Sequence, residues 1–321
     1  MPSPIRASPT LKGSGSSAAG ADIASGTEHS RTACERPAPA VGSARPARSV
    51  WRRLMKHKSG RIGGVIITAM LCAGLVGPVL AQDPSKTDLK HTLIAPDRTH
   101  LLGTDQVGRD ILSRILLGAR LSLVIGAVVV AIAVTVGAPL GLIAAYFKGT
   151  TDFTVMRVTD LALAFPALLL ALIVINILGP GILQTMIAVG VAQIPRFVRI
   201  ARAGALAAVE REFILAARSI GEGDWRIIRL HVLPNSLAPV IIEATVLFAT
   251  SILIAASLSF LGLGVRPPTP EWGNMLSEGR DYMSAAPHIV AFPGLSILIA
   301  VLGFNLLGDG LRDALDVKFR V

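Results

Sequence analysis

The chain has 321 residues and a formal charge of +10, from 31 lysines and arginines against 21 acidic residues. Apolar residues make up 52% of it and charged residues only 16%, and mean hydropathy is +0.61. A water-facing surface usually takes about a quarter charged residues, and the apolar residues here run on for longer than a soluble helix needs, so an ordinary cytosolic enzyme is excluded. The two cysteines, Cys34 and Cys72, lie in segments of unlike composition and match no ligand spacing. That excludes a disulfide scaffold and a Cys-based metal site.

In chain order, residues 1–50 are dominated by Ala, Ser, Gly, Pro and Arg with no apolar periodicity, and they read as a disordered cytoplasmic tail. A bilayer core of about 30 Å needs about 20 helical residues. The first expected span is residues 62–81, charge-free between Arg61 and Asp83. No secretory signal is read ahead of it, because the run is long enough to stay as a span. Residues 106–119 carry Val107, Ile111, Leu112, Ile115 and Leu116 on one face and Arg109, Asp110, Ser113 and Arg114 largely on the other, which predicts an interfacial helix. The second span is 121–147, where Gly137 and Gly141 flank Pro139 as a small-residue packing pair. The charge-free stretch after Asp160 is too long for one helix. Gly179-Pro180-Gly181 breaks it into a third span at 161–178 and a fourth that starts at 182 and continues past Arg196, Arg199 and Arg202. A fifth span, 239–263, holds one charge, Glu243, expected in a solvated or hydrogen-bonded role near the interface; the sixth is 289–308.

This predicts an all-α polytopic membrane protein with six transmembrane helices. Basic residues then orient it: 23 fall on the side of both termini and 8 on the other. The positive-inside rule places both termini in the cytoplasm.

The long cytoplasmic loop between the fourth and fifth spans carries the most information. Residues 205–219 are strong helix formers, and Gly221-Glu222-Gly223 interrupts them. Asp224 then stands where an N-cap would, ahead of a short helix at 225–231 that Pro234 should terminate. A structured protrusion with charge and a tryptophan, but no catalytic constellation, suits docking into a groove of a cytoplasmic partner.

Ala216-Ala217-Arg218-Ser219-Ile220-Gly221, nine residues, then His231-Val232-Leu233-Pro234 resembles the EAA loop of ABC importer permeases. Leu215 stands where that pattern has Glu, and His231 where it has Ile. Three more segments are similar to the C-subunit type of the dipeptide/oligopeptide/nickel branch: the motif from His100 to Asp110, Phe260-Leu-Gly-Leu-Gly264 with Pro270-Glu-Trp-Gly-Asn-Met-Leu276, and Gly308-Asp-Gly-Leu-Arg-Asp-Ala-Leu-Asp316. The resemblance covers residues 51–321. It implies a type I, MetI-like permease with a first helix and periplasmic segment at 51–120 and a core domain at 121–321, including a coupling loop at about 203–236.

By that resemblance the loop sits in a cleft of an ATP-hydrolysing subunit and involves Ala216, Ala217, Arg218, Gly221, Glu222, Asp224, Trp225, Arg226, Leu233 and Pro234. Gly221 permits the sharp turn. The implied partners are a second, homologous permease, two ATPase subunits, an extracytoplasmic binding protein and the lipid bilayer, with no nucleic acid. ATP and Mg belong to the partner subunits; this chain binds no cofactor and does no chemistry. The implied cargo is di- or oligopeptides, with nickel, glutathione or another small solute as the alternative. A stand-alone secondary transporter is the rival class, but the chain lacks the chained intramembrane carboxylates of a proton relay. Asn176, Gln184, Gln193 and Asn305 are polar positions within spans that either line a path or bond between helices. The run Pro267-Pro268-Thr269-Pro270-Glu271-Trp272-Gly273 predicts a rigid turn and an interfacial Trp that, with the interfacial helix, would receive the binding protein. His91, Asp97, His100 and Asp105 match no metal-ligand spacing, and no metal is expected there.

Overall fold

A computed structural model of the chain describes residues 52, 54–80 and 86–315. The tail expected at 1–50 and the end of the last motif, Asp316, lie outside the described residues. Among the described residues everything regular is helical, apart from one isolated bridge between Thr104 and Asp110. The elements are α1 (Lys58–Leu80), α2 (Ile111–Phe147), α3 (Gly149–Leu163), α4 (Ala167–Leu178), α5 (Ile182–Val209), α6 (Glu212–Ser219), α7 (Asp224–Ile227), α8 (Leu233–Phe260), α9 (Trp272–Gly279) and α10 (His288–Leu315).

Among the described residues, four stretches are long and apolar enough to cross a bilayer: Lys58–Val79, Ile111–Phe147, Asp224–Phe260 and His288–Leu315. The pair α3 and α4 makes a fifth if taken as one broken span. The expected third and fourth spans account for the difference from six. The third is no straight helix: α3 and α4 meet at 91° across a break that ends at Pro166, which disfavours helical backbone at the residue before it. At 1.5 Å per residue, α4 alone reaches about 18 Å, short of a bilayer core. The fourth exists as α5, which runs past Arg196, Arg199 and Arg202 as expected, but those three charges dilute its apolar character.

Two expectations on the far side of the bundle are corrected. The amphipathic segment at 106–119 is not a separate interfacial helix; from Ile111 it is the first part of α2, so the boundary expected at residue 120 falls inside one helix. Asp110 caps that helix, accepting from the Ser113 N–H at 2.8 Å. Gly118 does not break it, because Trp272 lies directly over the missing side chain. Trp272, expected at the membrane interface, is therefore buried and donates its indole N–H to the Ile115 carbonyl at 3.1 Å.

Packing fixes which ends share a side. Gly60 near the start of α1 sits against Gly310 near the end of α10, and Gly308 abuts Thr245 in the first half of α8. The start of α1, the end of α10 and the loop preceding α8 thus lie at one end of the bundle. The loop at 88–110 and α9 lie at the other, where Gly273 presses on the backbone of Ala256 in the second half of α8.

Candidate functional site

The loop between α5 and α8 is built by local chain chemistry. Helix α5 ends at Val209, and α6 follows after a two-residue break. Gly221, at φ +78°, ends α6 in the left-handed region that a side chain would strain. The Glu222 N–H reaches back to the Ala217 carbonyl at 3.1 Å, closing a Schellman turn. The expected N-cap is displaced by one residue: Gly223 takes that position, and Asp224 is the first residue of α7 with its carboxylate turned elsewhere. Pro234 does not terminate a helix either. A π-turn at Ile228–Val232 leads straight into α8, and Pro234 stands just after it with the helix running on.

The loop has two faces. Its inner face buries Ile214, Ala217, Ile227 and Val232 in one cluster with Leu142, Tyr146, Ala205 and Val209 of α2 and α5. Polar contacts finish the seam. The Tyr146 hydroxyl donates to Asp224 Oδ1 at 2.7 Å, and the Arg218 guanidinium lies 4.9 Å from the Tyr146 ring centre. Phe147 meets Trp225 edge-on, with centroids 6.3 Å apart. Glu222 accepts from Arg226 Nε at 3.0 Å and pairs with His231 Nε2 at 3.0 Å, while Asn235 Nδ2 holds the His231 carbonyl.

The outer face is open and mixes large apolar side chains with charges such as Arg218, Asp224 and Arg229. Ile220 is 83% exposed and Trp225 67%, with Leu215 and Leu230 exposed beside them and the Arg226 side chain extended into solvent. Of the expected residues, Trp225, Arg226 and Ala216 face outward, Ala217 is buried, and Leu233 is half-buried. Glu222, Asp224 and Arg218 hold the loop's own shape. Sequence reading missed Tyr146 and Phe147. The available signal was an aromatic pair closing the second span immediately before Lys148.

Above the loop, α5 carries three arginines about one turn apart, each on a different carboxylate. Arg196 pairs with Glu243 of α8, Arg199 with Asp160 of α3 at 2.6 Å, and Arg202 grips Asp152 of α3 with two nitrogens. Of the solvated or hydrogen-bonded role expected for Glu243, the hydrogen-bonded one holds, with Arg196 as its partner. The four polar positions differ in setting: Asn176 on α4 is exposed, Gln184 on α5 and Asn305 on α10 are half-buried, and Gln193 on α5 is buried.

At the opposite end four charges pack together, with Asp105, Arg109 and Arg114 buried and Glu278 partly so. Arg109 Nε donates to Asp105 Oδ2 at 2.6 Å, Arg114 Nη1 reaches the same oxygen at 2.9 Å, and Arg114 Nη2 reaches Glu278 Oε2 at 2.7 Å. Arg109 Nη2 also reaches Glu278 at 3.2 Å. Arg114, expected on a polar outer face, is almost wholly buried. Glu271 caps α9 through the Gly273 and Asn274 N–H groups, both at 2.9 Å; burial pushes its carboxyl above the usual range while those donors pull it down. His91 pairs with Asp88 and His100 with Asp110, so the residues weighed for a metal sit in separate pairs. No group of three metal-binding side chains occurs among the described residues.

Residues 137–321 match the family of binding-protein-dependent transport system inner membrane components, and residues 45–96 match the N-terminal TM domain of oligopeptide transport permease C. The chain is 45% identical over 276 residues to the dipeptide transport system permease protein DppC of Alkalihalophilus pseudofirmus, covering 86% of this chain and 91% of that one. It is 44% identical over 283 residues to the di/tripeptide permease protein DppC of Pseudomonas aeruginosa, covering 86% and 93%. It is 41% identical over 277 residues to the glutathione transport system permease protein GsiD of Pectobacterium atrosepticum, covering 86% and 92%. A solved structure of an inward-facing conformation of the MetNI methionine ABC transporter shares the fold, with TM-score 0.52 and 18% identity over 63% of this chain and 96% of that one.

Proposed function

The chain belongs to the family of binding-protein-dependent transport system inner membrane components and is a permease subunit of an ABC importer; from that premise we propose that it imports di- and oligopeptides. It forms half of a translocation path with a second, homologous permease. Two ATPase subunits bind ATP and Mg, and one of them docks on the loop at 203–236. An extracytoplasmic binding protein delivers the cargo to the opposite end, and both termini face the cytoplasm. Glutathione, itself a small peptide, is the cargo in the printed name of one relative and stays as the second reading.

The observation that carries the docking assignment is the two-faced loop. Its inner side is fastened to α2 and α5, while Leu215, Ile220 and Trp225 stand exposed on the loop among Arg218, Asp224, Arg226 and Arg229. A monomer does not gain by exposing such a patch. A cleft on an ATPase would cover it, in the helix-in-groove manner. Closure of the two ATPases would then draw two such loops together and swing the helices as rigid bodies. Ala216, Arg218, Gly221, Glu222, Asp224, Leu233 and Pro234 shape or border the docking surface, and Asn176, Gln184, Gln193 and Asn305 remain the candidates for the path.

The test is uptake of a labelled dipeptide, a tripeptide and glutathione by proteoliposomes holding the full complex. Saturable, ATP-dependent uptake of the di- and tripeptide is expected. Glutathione uptake alone would transfer the cargo to the second reading, and ATP-independent uptake would remove the importer mechanism.

A further inference from the structure

We propose that α2 is a strut fixing the geometry of the ATPase-docking loop from the opposite face of the membrane, with Arg114 and Tyr146 as positioning residues at its two ends. This rests on the proposed reading of which end meets the ATPases and which the binding protein. Helix α2 runs on as one helix for 37 residues, about 55 Å at 1.5 Å per residue, with Pro139 inside it braced where Gly137 and Gly141 meet α5. Its first turn is held by the buried charge network, in which Arg114 joins Asp105 of the 88–110 loop to Glu278 of α9. Its last turn holds the docking loop through the Tyr146–Asp224 hydrogen bond.

The chemistry at each end suits registration rather than adhesion. Two arginines and two carboxylates buried together are seldom worth more to stability than well-packed apolar side chains. What they add is direction. Contacts between 2.6 and 3.2 Å, made to three separate segments, fail together if one segment slides. The middle of the strut cannot slide on its neighbour either. A Cβ on Gly137 would meet the Phe197 side chain at 2.6 Å, and one on Gly141 would meet the Arg202 backbone nitrogen at 2.8 Å. Helix α5 is thus seated directly on α2. A displacement of α9 by an arriving binding protein must move α2 as a body, and Tyr146 delivers that movement to Asp224. Coupling of this kind is reciprocal in binding energy.

The experiment uses the full complex in lipid nanodiscs, comparing wild type, Glu278→Gln, Tyr146→Phe and the double variant. ATP hydrolysis is measured with and without liganded binding protein, and amide hydrogen exchange is followed at residues 222–232. For Glu278→Gln the expected result is assembled complex with unchanged basal hydrolysis, about threefold less stimulation by the binding protein, and faster exchange at 222–232. The double variant should lose no more stimulation than the worse single one, because both cut one link. Full stimulation in Glu278→Gln, multiplicative losses, or lost stimulation with unchanged exchange at 222–232 would each overturn the strut. If Glu278→Gln fails to fold, Tyr146→Phe runs the test in reverse, with faster exchange expected at 103–115 and unchanged exchange there overturning it. A wild-type chain that binds no ATPase would instead strike the docking assignment, while the exchange measurement on the chain alone still decides the strut.

Discussion

At the residue scale, Glu271 shows how one carboxylate serves two demands. It caps α9 with both oxygens, yet it lies buried, which raises its carboxyl above the ordinary range. A raised carboxyl favours the fold in its protonated form, so that stabilisation is complete below the unfolded pKa and is lost as pH rises through the folded one. In detergent, the thermal midpoint of the wild type should therefore fall more steeply between mildly acidic and neutral pH than that of Glu271→Gln. Parallel profiles would contradict this. Glu271→Ala removes the cap outright and should cost about 1–2 kcal/mol at any pH. Gly221 presents a different constraint. Ala at φ +78° carries a penalty of about 1–2 kcal/mol, so Gly221→Ala should speed hydrogen exchange in α6 and α7 while leaving membrane insertion intact.

At the element scale, the two faces of the docking loop should separate by mutation. Ile227→Ala and Ile214→Ala hollow the cluster beneath Tyr146 and should each cost about 2–5 kcal/mol, read as a lower thermal midpoint. Ile220→Ser touches only the open face and Trp225→Ala gives up one edge contact with Phe147, so the midpoint should fall far less than in those two while ATPase co-purification fails. An unchanged yield of ATPase with both outer variants would contradict the docking face. Much of this loop was legible: Gly221-Glu222-Gly223 announced the turn, and Pro234 stood beside the restart. The errors came from reading residues singly. Asp224 is a good N-cap type, but a tyrosine 78 positions away holds its carboxylate, which local propensity cannot register. Proline breaks helices from within, so Pro234 reads as a terminator, whereas here a π-turn precedes it and the helix runs on. The bend between α3 and α4 had its own signal in Pro166, masked by the apolar residues around it.

At the scale of the whole molecule, sequence conveyed the class and the order of helices but not the ties between them. An all-helical membrane protein follows from apolar runs and sparse charge. Missing from such a reading is that Arg196, Arg199 and Arg202 find Glu243, Asp160 and Asp152 on two other helices, and that Arg114 lies inside the protein rather than on its surface. Charges in a membrane protein are costly unless paired, so each arginine on α5 predicts a nearby carboxylate without saying where it is. Removing one partner should therefore exceed the effect of an exposed pair. Asp152→Asn, which leaves Arg202 without its anion, should lower the thermal midpoint more than Asp281→Asn at the exposed Arg280 pair. Equal effects would mean the α5 pairs are solvated.

The central claim, that this chain is one permease in an ATP-driven importer, is met most directly by native mass spectrometry of the tagged chain taken from its membrane in mild detergent. The importer reading predicts one copy of this chain with a second permease and two ATPase subunits, and a complex short of one ATPase in Trp225→Ala. A lone chain or a homo-oligomer that persists after crosslinking would contradict it.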